Sequence, residues 1–168
     1  MQAEEQRPRK LVWPLQAMPL ARAIGVSYAL LIVYVSLNPF DFDFGNGVSA
    51  WAWLDAPAPR FITLFDVLVN ILAYIPFGFL LVFAAYPRWR NFVALAVALA
   101  LCAVLAFAVE SLQSWLPTRI PSQMDWWANM LGGLLGGLLA IPLGPQWLSG
   151  SAIRRRFDQW FGLRWGAC

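Results

Sequence analysis

The 168-residue chain contains no histidine and only two cysteines. Without imidazole, zinc chemistry, Ser-His-Asp hydrolysis and histidine proton relays are excluded, so any acid–base chemistry rests on carboxylates. Cys102 lies inside an apolar run and Cys168 is the last residue, a pair poorly placed for a disulfide. No metal and no cofactor is expected. Charge is the other scarcity. Asp, Glu, Lys and Arg make up 12% of the residues, whereas a soluble domain carries about 25%. Too little polar surface remains to coat a water-soluble body.

What the chain does have is apolar length: 60% of its residues are hydrophobic, among them ten Trp and twelve Phe. Four segments, about Leu20–Leu37, Leu64–Tyr86, Phe92–Leu116 and Asp125–Leu143, approach the ~20 residues that cross a ~30 Å hydrocarbon core. Helices satisfy their own backbone groups there. The expected fold is an all-α membrane protein. A basic N-terminal segment (1–19) precedes a four-helix transmembrane domain (20–143), and a basic tail (144–168) follows it. Basic residues before an apolar run also mark signal peptides, but the first span ends in Tyr34-Val35-Ser36-Leu37-Asn38-Pro39-Phe40, with no small-x-small cleavage pattern. It reads as a retained anchor.

Arg7, Arg9, Lys10 and Arg22 precede span one, Arg88 and Arg90 join spans two and three, and Arg154, Arg155, Arg156 and Arg164 follow span four. Only Arg60 and Arg119 fall on the other side. The positive-inside rule then puts both termini in the cytoplasm of a multi-pass bacterial plasma-membrane (inner-membrane) protein. The net charge of +3 clusters beside the spans, which suits anionic membrane lipids and not nucleic acid. In the tail, Ile153, Phe157, Trp160, Phe161 and Trp165 recur at helical spacing beside Arg154 to Arg156. That pattern predicts a cytoplasmic amphipathic C-terminal helix at the interface, a disordered basic tail being the alternative. Trp51 and Trp53 predict a piece of the first outer loop resting at the opposite interface.

Spans two and four share a pattern, [Ser/Thr]-x-x-Asp-x-x-x-Asn. It is carried by Thr63, Asp66 and Asn70 and again by Ser122, Asp125 and Asn129, and in the same register Gly78-Phe79-Leu80 aligns with Gly137-Leu138-Leu139. Both spans run inward from outside, so the four helices read as two parallel-repeat hairpins about an axis along the membrane normal. The Ser/Thr and Asp residues fit a capping box with an acid in the first turn. The asparagines lie one turn further, about 6 Å deeper, beyond the reach of a cap. They serve either an interhelical hydrogen bond or a site.

Glu110 lies six residues before Leu116, about 9 Å below the end expected for span three. A carboxylate at that depth is costly unless paired, protonated or hydrated. Gln113 shares its face. Arg119, between Pro117 and Pro121, either folds over Glu110 or stays available to clamp an anion with its planar fork. Asp66, Asn70, Glu110, Gln113, Arg119, Asp125 and Asn129 thus converge on the outer half of the bilayer, whereas the inner halves of spans two to four hold apolar residues, Gly and Pro. Polar groups inside a membrane mark function by default, which makes these seven the candidate ligand-binding residues. A network that merely glues the helices together is the alternative. Gly132, Gly133, Gly136 and Gly137 form overlapping Gly-x-x-x-Gly pairs that allow close approach within the bundle or between protomers of a homodimer. No Lys-Ser/Thr follows them, so they are not a phosphate loop. Pro76 predicts a kink in span two, for packing or to open a cavity behind Asn70.

Asn38-Pro39-Phe40, Asp66-x-x-x-Asn70 with Pro76-Phe77-Gly78, Glu110-x-x-Gln113, Arg119, and Asp125-x-x-x-Asn129-x-x-Gly132 together resemble the VanZ-like family of small membrane proteins. The resemblance covers about Asn38 to Leu139, and it rests on the order and spacing of motifs that are weak singly. It implies cell-envelope work, since the family is named after an accessory protein that favours teicoplanin resistance. It supplies no reaction, and resistance itself does not carry over, because members occur in many bacteria without glycopeptide-resistance genes. The tail after Leu143 lies outside the matching region.

Three functions are compatible with these residues. The first is an accessory protein binding an anionic lipid, a lipid-linked envelope precursor or a glycopeptide-like ligand at the outer leaflet, alone or with an envelope-biosynthesis protein partner. Arg119 would then hold the anion. The second is an enzyme on a lipid-linked headgroup, with Glu110 as acid or base and Asp66 or Asp125 as its charge partner or as ligands for a divalent cation; no nucleophile motif supports it. The third is a small proton-coupled transporter or flippase, for which the inner half offers no polar path.

Overall fold

The computed structural model describes residues 19–57 and 64–143. The basic N-terminal residues 1–18, Arg60 and Thr63 of the first loop, and the tail 144–168 with its expected amphipathic helix lie outside the described residues. Within them the chain is helical, with no strand: α1 (Pro19–Leu37), the short α2 (Ala52–Asp55), α3 (Leu64–Ala85), α4 (Asn91–Gln113) and α5 (Gln123–Leu143). Three of these, α1, α3 and α4, are long and apolar enough to cross a membrane, so the chain is a multi-pass membrane protein. The 21-residue α5 opens with the more polar turn Gln123-Met124-Asp125. Here "upper" denotes the end of the bundle where α1 and α4 finish and α3 and α5 begin.

Helix α4 stops at Gln113, three residues short of the Leu116 expected from hydropathy. Leu116 precedes Pro117, whose ring disfavours helical backbone in the residue before it. The chain tightens instead into turns, with Trp115 N–H donating to the Leu112 carbonyl (3.2 Å) and Leu116 N–H to that of Gln113 (2.9 Å). Glu110 therefore stands in the last turn of α4, about 4.5 Å from its end, and not ~9 Å deep.

Apolar side chains gain little by leaving lipid for a protein interior, so membrane helices associate through close backbone packing. This chain does so with small residues. Ala94, Ala98, Cys102 and Ala106 recur every four residues along α4 and are fully or nearly fully buried, giving one smooth ridge. On α5, Gly133 and Gly137 face Cys102 and Leu95 of α4, while Gly132 and Gly136 lie against the Ile71 and Ile75 carbonyls of α3, and Gly78 of α3 meets the Gly133 backbone. All four α5 glycines thus serve close approach inside one chain. Helices α3 and α5 run parallel and side by side at the centre, and α3 continues as helix through Pro76, which leaves the Leu72 carbonyl without its intrahelical donor.

Helix α1 is fastened differently at its two ends. Near its start, Arg22 donates from Nε to the Ala84 carbonyl (3.0 Å) and from Nη2 to that of Tyr86 (3.2 Å), capping the C-terminus of α3 where a cation complements the helix dipole. Gly25 packs on Leu80, and the Tyr28 hydroxyl donates to the Ala73 carbonyl (3.0 Å). At its upper end α1 is held by α4 and the following loop, through Gln113 Nε2 donating to the Ser36 carbonyl (2.9 Å) and Arg119 Nη2 to those of Val35 and Asn38 (3.3 and 3.4 Å).

The first loop lies over the tops of α4 and α5. Asn46 donates to the Ser114 carbonyl, Trp115 Nε1 to that of Val48, and Gln123 Nε2 to that of Leu54. Of the two tryptophans expected at an interface, only Trp51 is exposed. Trp53 is 2% exposed, packs on Phe107 with ring centroids 5.3 Å apart and donates to Ser111 Oγ (3.4 Å). It belongs to the core because α2 turns it onto α4.

Candidate functional site

A cleft of about 640 Å³ opens at the upper end, within the ~300–1,000 Å³ range of ligand sites. Asp66, Asn70, Glu110, Gln113, Arg119, Asp125 and Asn129 all line it. Helix α3 contributes Asp66, Asn70 and Tyr74 at four-residue steps, α5 contributes Asp125 and Asn129 at the same step, α4 contributes Glu110 and Gln113, and Arg119 comes from the α4–α5 loop. Tyr28, Leu31, Ile32 and Val35 of α1 form the remaining wall.

The burial of Glu110 follows from the ridge on α4, because it occupies the next four-residue step after Ala94, Ala98, Cys102 and Ala106. Only 3% of it is exposed. Its Oε2 accepts the backbone N–H of Ser122 (3.0 Å). Ser122 caps α5, accepting the Asp125 N–H on Oγ (3.1 Å) while donating its hydroxyl to Asp125 Oδ2 (2.8 Å). Asp125 Oδ1 in turn accepts from Asn70 Nδ2 (2.7 Å), the short distance expected of a bond to a carboxylate. One connected path, Glu110–Ser122–Asp125–Asn70, therefore joins α4, α5 and α3. The capping role of Ser122 and Asp125 and the interhelical role of Asn70 both hold, through a single carboxylate.

The repeat is not symmetric here. Asn70 bonds the Asp of the other half, but the mirror-image bond from Asn129 is not made. Asn129 is 4% exposed, and its Oδ1 is buried without a hydrogen-bond partner among the described residues; the Tyr74 hydroxyl is in the same condition at 3% exposure. Each such orphan costs about 1–3 kcal/mol and is uncommon in native proteins. Both line the cleft.

Arg119 neither folds over Glu110 nor stands wholly free. It is exposed, and its Nη2 is shared between the carbonyls of Val35 in α1 and Asn38 just beyond it, leaving its other N–H groups without a partner among the described residues. Asp66 is exposed at the mouth. Tyr74 and Ser122, which the hydrogen bonding of the cleft marks out, were not singled out from sequence as site residues. Tyr74 lies four residues beyond Asn70, so the helical step that relates Asp66 to Asn70 also points to it. Ser122 was read as a cap, and its second role, receiving Glu110, depends on how α4 and α5 meet.

Chemically the cleft is rich in acceptors. Carboxylates accept only, and amide oxygens add to them, while Arg119 supplies donors at the rim. Ser122 Oγ is buried and doubly engaged, which suits a brace better than a nucleophile. No three of Asp, Glu, Cys or His among the described residues converge closely enough to hold a metal ion.

No curated protein and no solved structure matches the chain. The model of the VanZ/LLP1 family does, over residues 16–144, a stretch that contains every described helix and all seven candidate residues expected from sequence. The chain belongs to the VanZ/LLP1 family.

Proposed function

We propose that this protein is a cell-envelope accessory protein of the bacterial plasma membrane. Its cleft holds the polar part of an anionic lipid, a lipid-linked precursor or a glycopeptide-like ligand at the outer leaflet. In this reading α5 is a fourth span, α1/α3 and α4/α5 are the two repeat hairpins, both termini are cytoplasmic, and the upper end faces outward. The distribution of arginines supports that orientation, and the parallel course of α3 and α5, whose opposed residues keep nearly the spacing that separates Asp66 from Asp125, supports the repeat.

The observation that carries the proposal is the pair of groups without a hydrogen-bond partner among the described residues, Asn129 Oδ1 and the Tyr74 hydroxyl, in a cleft also lined by Asp66, Asn70, Glu110, Gln113, Arg119 and Asp125 at one end of an otherwise apolar bundle. A network that only glued helices would satisfy its own members, since a half-satisfied buried network is worse than an apolar one. A ligand supplying hydroxyl, amide or ammonium donors completes it. Arg119 meets phosphate or carboxylate at the rim with its remaining N–H groups.

Native mass spectrometry of protein extracted gently from its own membranes tests this, with Arg119→Ala and Glu110→Gln alongside wild type. A discrete bound species, reduced in both variants at unchanged helical content, is expected. Bulk phospholipid alone on wild type, with both variants merely less stable, would refute the proposal and return the cluster to helix glue.

A further inference from the structure

The walls of the cleft are of two kinds, and their arrangement says how a ligand arrives. Among the described residues the hydrogen bonds from α1 to α3 and its C-terminal end lie at or below the floor of the cleft, from Arg22 to Tyr28, with the Tyr28–Ala73 bond uppermost. Above it, α1 is bonded to Gln113 and Arg119 instead. The first loop covers α4 and α5. What is left uncovered among the described residues is the gap between the upper halves of α1 and α3, flanked by Leu31 and Val35 on one helix and Phe65 and Val69 on the other. Each pair is one helical step apart and so shares a face. All four are exposed and all four line the same cleft as the polar groups. Both helices are apolar enough to span a membrane, so this gap opens onto hydrocarbon and not onto water.

We propose that the ligand is lipid-anchored and reaches the cleft sideways through the α1–α3 gap. Its donor-bearing headgroup meets Asn129 and Tyr74, and its hydrocarbon chain lies between the Leu31/Val35 and Phe65/Val69 ridges. This rests on the headgroup reading above and narrows it, because a water-soluble glycopeptide-like or sugar ligand has no use for an apolar side door continuous with the polar cleft. Either a sugar or an amino headgroup satisfies the donor requirement, and the mass of the captured species separates them.

The test installs a benzophenone side chain in the full chain as Val69→p-benzoylphenylalanine, with the same replacement of Val104 as a lipid-facing control on α4, 68% exposed. The proteins are placed in vesicles of total lipid from the producing cells, irradiated, and their adducts weighed. One lipid class is expected at position 69 in about tenfold excess over position 104, and Asn129→Leu should abolish the excess, as losing one hydrogen bond predicts. Labelling Val35 gives the same readout from α1 if the Val69 replacement disturbs α3. The same lipid mixture at all positions overturns lateral access. If a discrete species still co-purifies and is reduced in Arg119→Ala, the headgroup reading survives and the ligand comes from water. If neither result is found, both fall.

Discussion

Gly136→Ala tests the packing on which the cleft depends. An added Cβ would run into the Ile75 carbonyl oxygen and lie 2.8 Å from its carbon and 3.0 Å from its Cα. Ordinary carbon contacts are about 3.5–4.0 Å, so α3 and α5 would have to part by close to 1 Å. Overpacking of this kind costs about 1–3 kcal/mol, and replacing glycine within a helix returns about 1 kcal/mol of propensity. These terms leave a net loss of about 0–2 kcal/mol, and an obstacle that is backbone and cannot rotate aside puts the expected value at the upper end, about 2 kcal/mol. The companion change Gly133→Ala meets a side chain instead, Cys102 Sγ at 2.7 Å and Cβ at 3.1 Å. Cys102→Gly should therefore rescue Gly133→Ala, with a coupling of about 0.5–3 kcal/mol, and should do nothing for Gly136→Ala, whose obstacle is backbone. Unfolding of detergent-solubilised protein by sodium dodecyl sulfate, followed by far-ultraviolet circular dichroism, reads all six proteins: wild type, the three single variants and the two doubles. A Gly136→Ala variant as stable as wild type, or one rescued equally by Cys102→Gly, would refute the close approach of α3 to α5.

The same assay should separate the two repeat-related asparagines. Asn70→Leu removes the 2.7 Å donor from Asp125 and should cost about 1.5–3 kcal/mol as a lost bond to a charged group, whereas Asn129→Leu, which breaks no hydrogen bond among the described residues, should be neutral or stabilising. Equal losses would show that Asn129 is paired. Trp53→Ala should cost about 3–5 kcal/mol, the cost of emptying a core site; a loss below about 1 kcal/mol, typical of surface positions, would return Trp53 to the interface. Arg22→Ala should raise hydrogen–deuterium exchange in the last turn of α3, around Ala84 to Tyr86, while costing no more than about 1 kcal/mol overall. Unchanged exchange there would dismiss the cap.

Helix positions were legible because an apolar run long enough to cross a bilayer has few other uses. The gathering of seven polar residues was legible too, since alternating span directions put the start of α3, the end of α4 and the start of α5 at one end. The errors came from partners remote in sequence. Hydropathy carried span three through Trp115 and Leu116, although Pro117 held the stop signal. A loop tryptophan looks interfacial until α2 turns it toward Phe107. Arg119 invited a nearby carboxylate, yet its acceptors are carbonyls at the end of α1 and just beyond it, 84 and 81 residues away, which no local pattern encodes. Tyr74 passed unnoticed because an aromatic in an apolar helix looks like packing until its hydroxyl is seen to lack a partner.

The unequal use of the two asparagines bears on stoichiometry. A duplicated hairpin offers the same Asp-x-x-x-Asn twice at one depth, and a symmetric pairing would have yielded either two equivalent subsites or two closed bonds. Here Asn70 is committed to bracing α3 against α5, and Asn129 is the one left open. On the proposed reading, a chain so divided would present a single receptive side, bind one headgroup at a time and fix its orientation, one half of the repeat acting as frame and the other as reader.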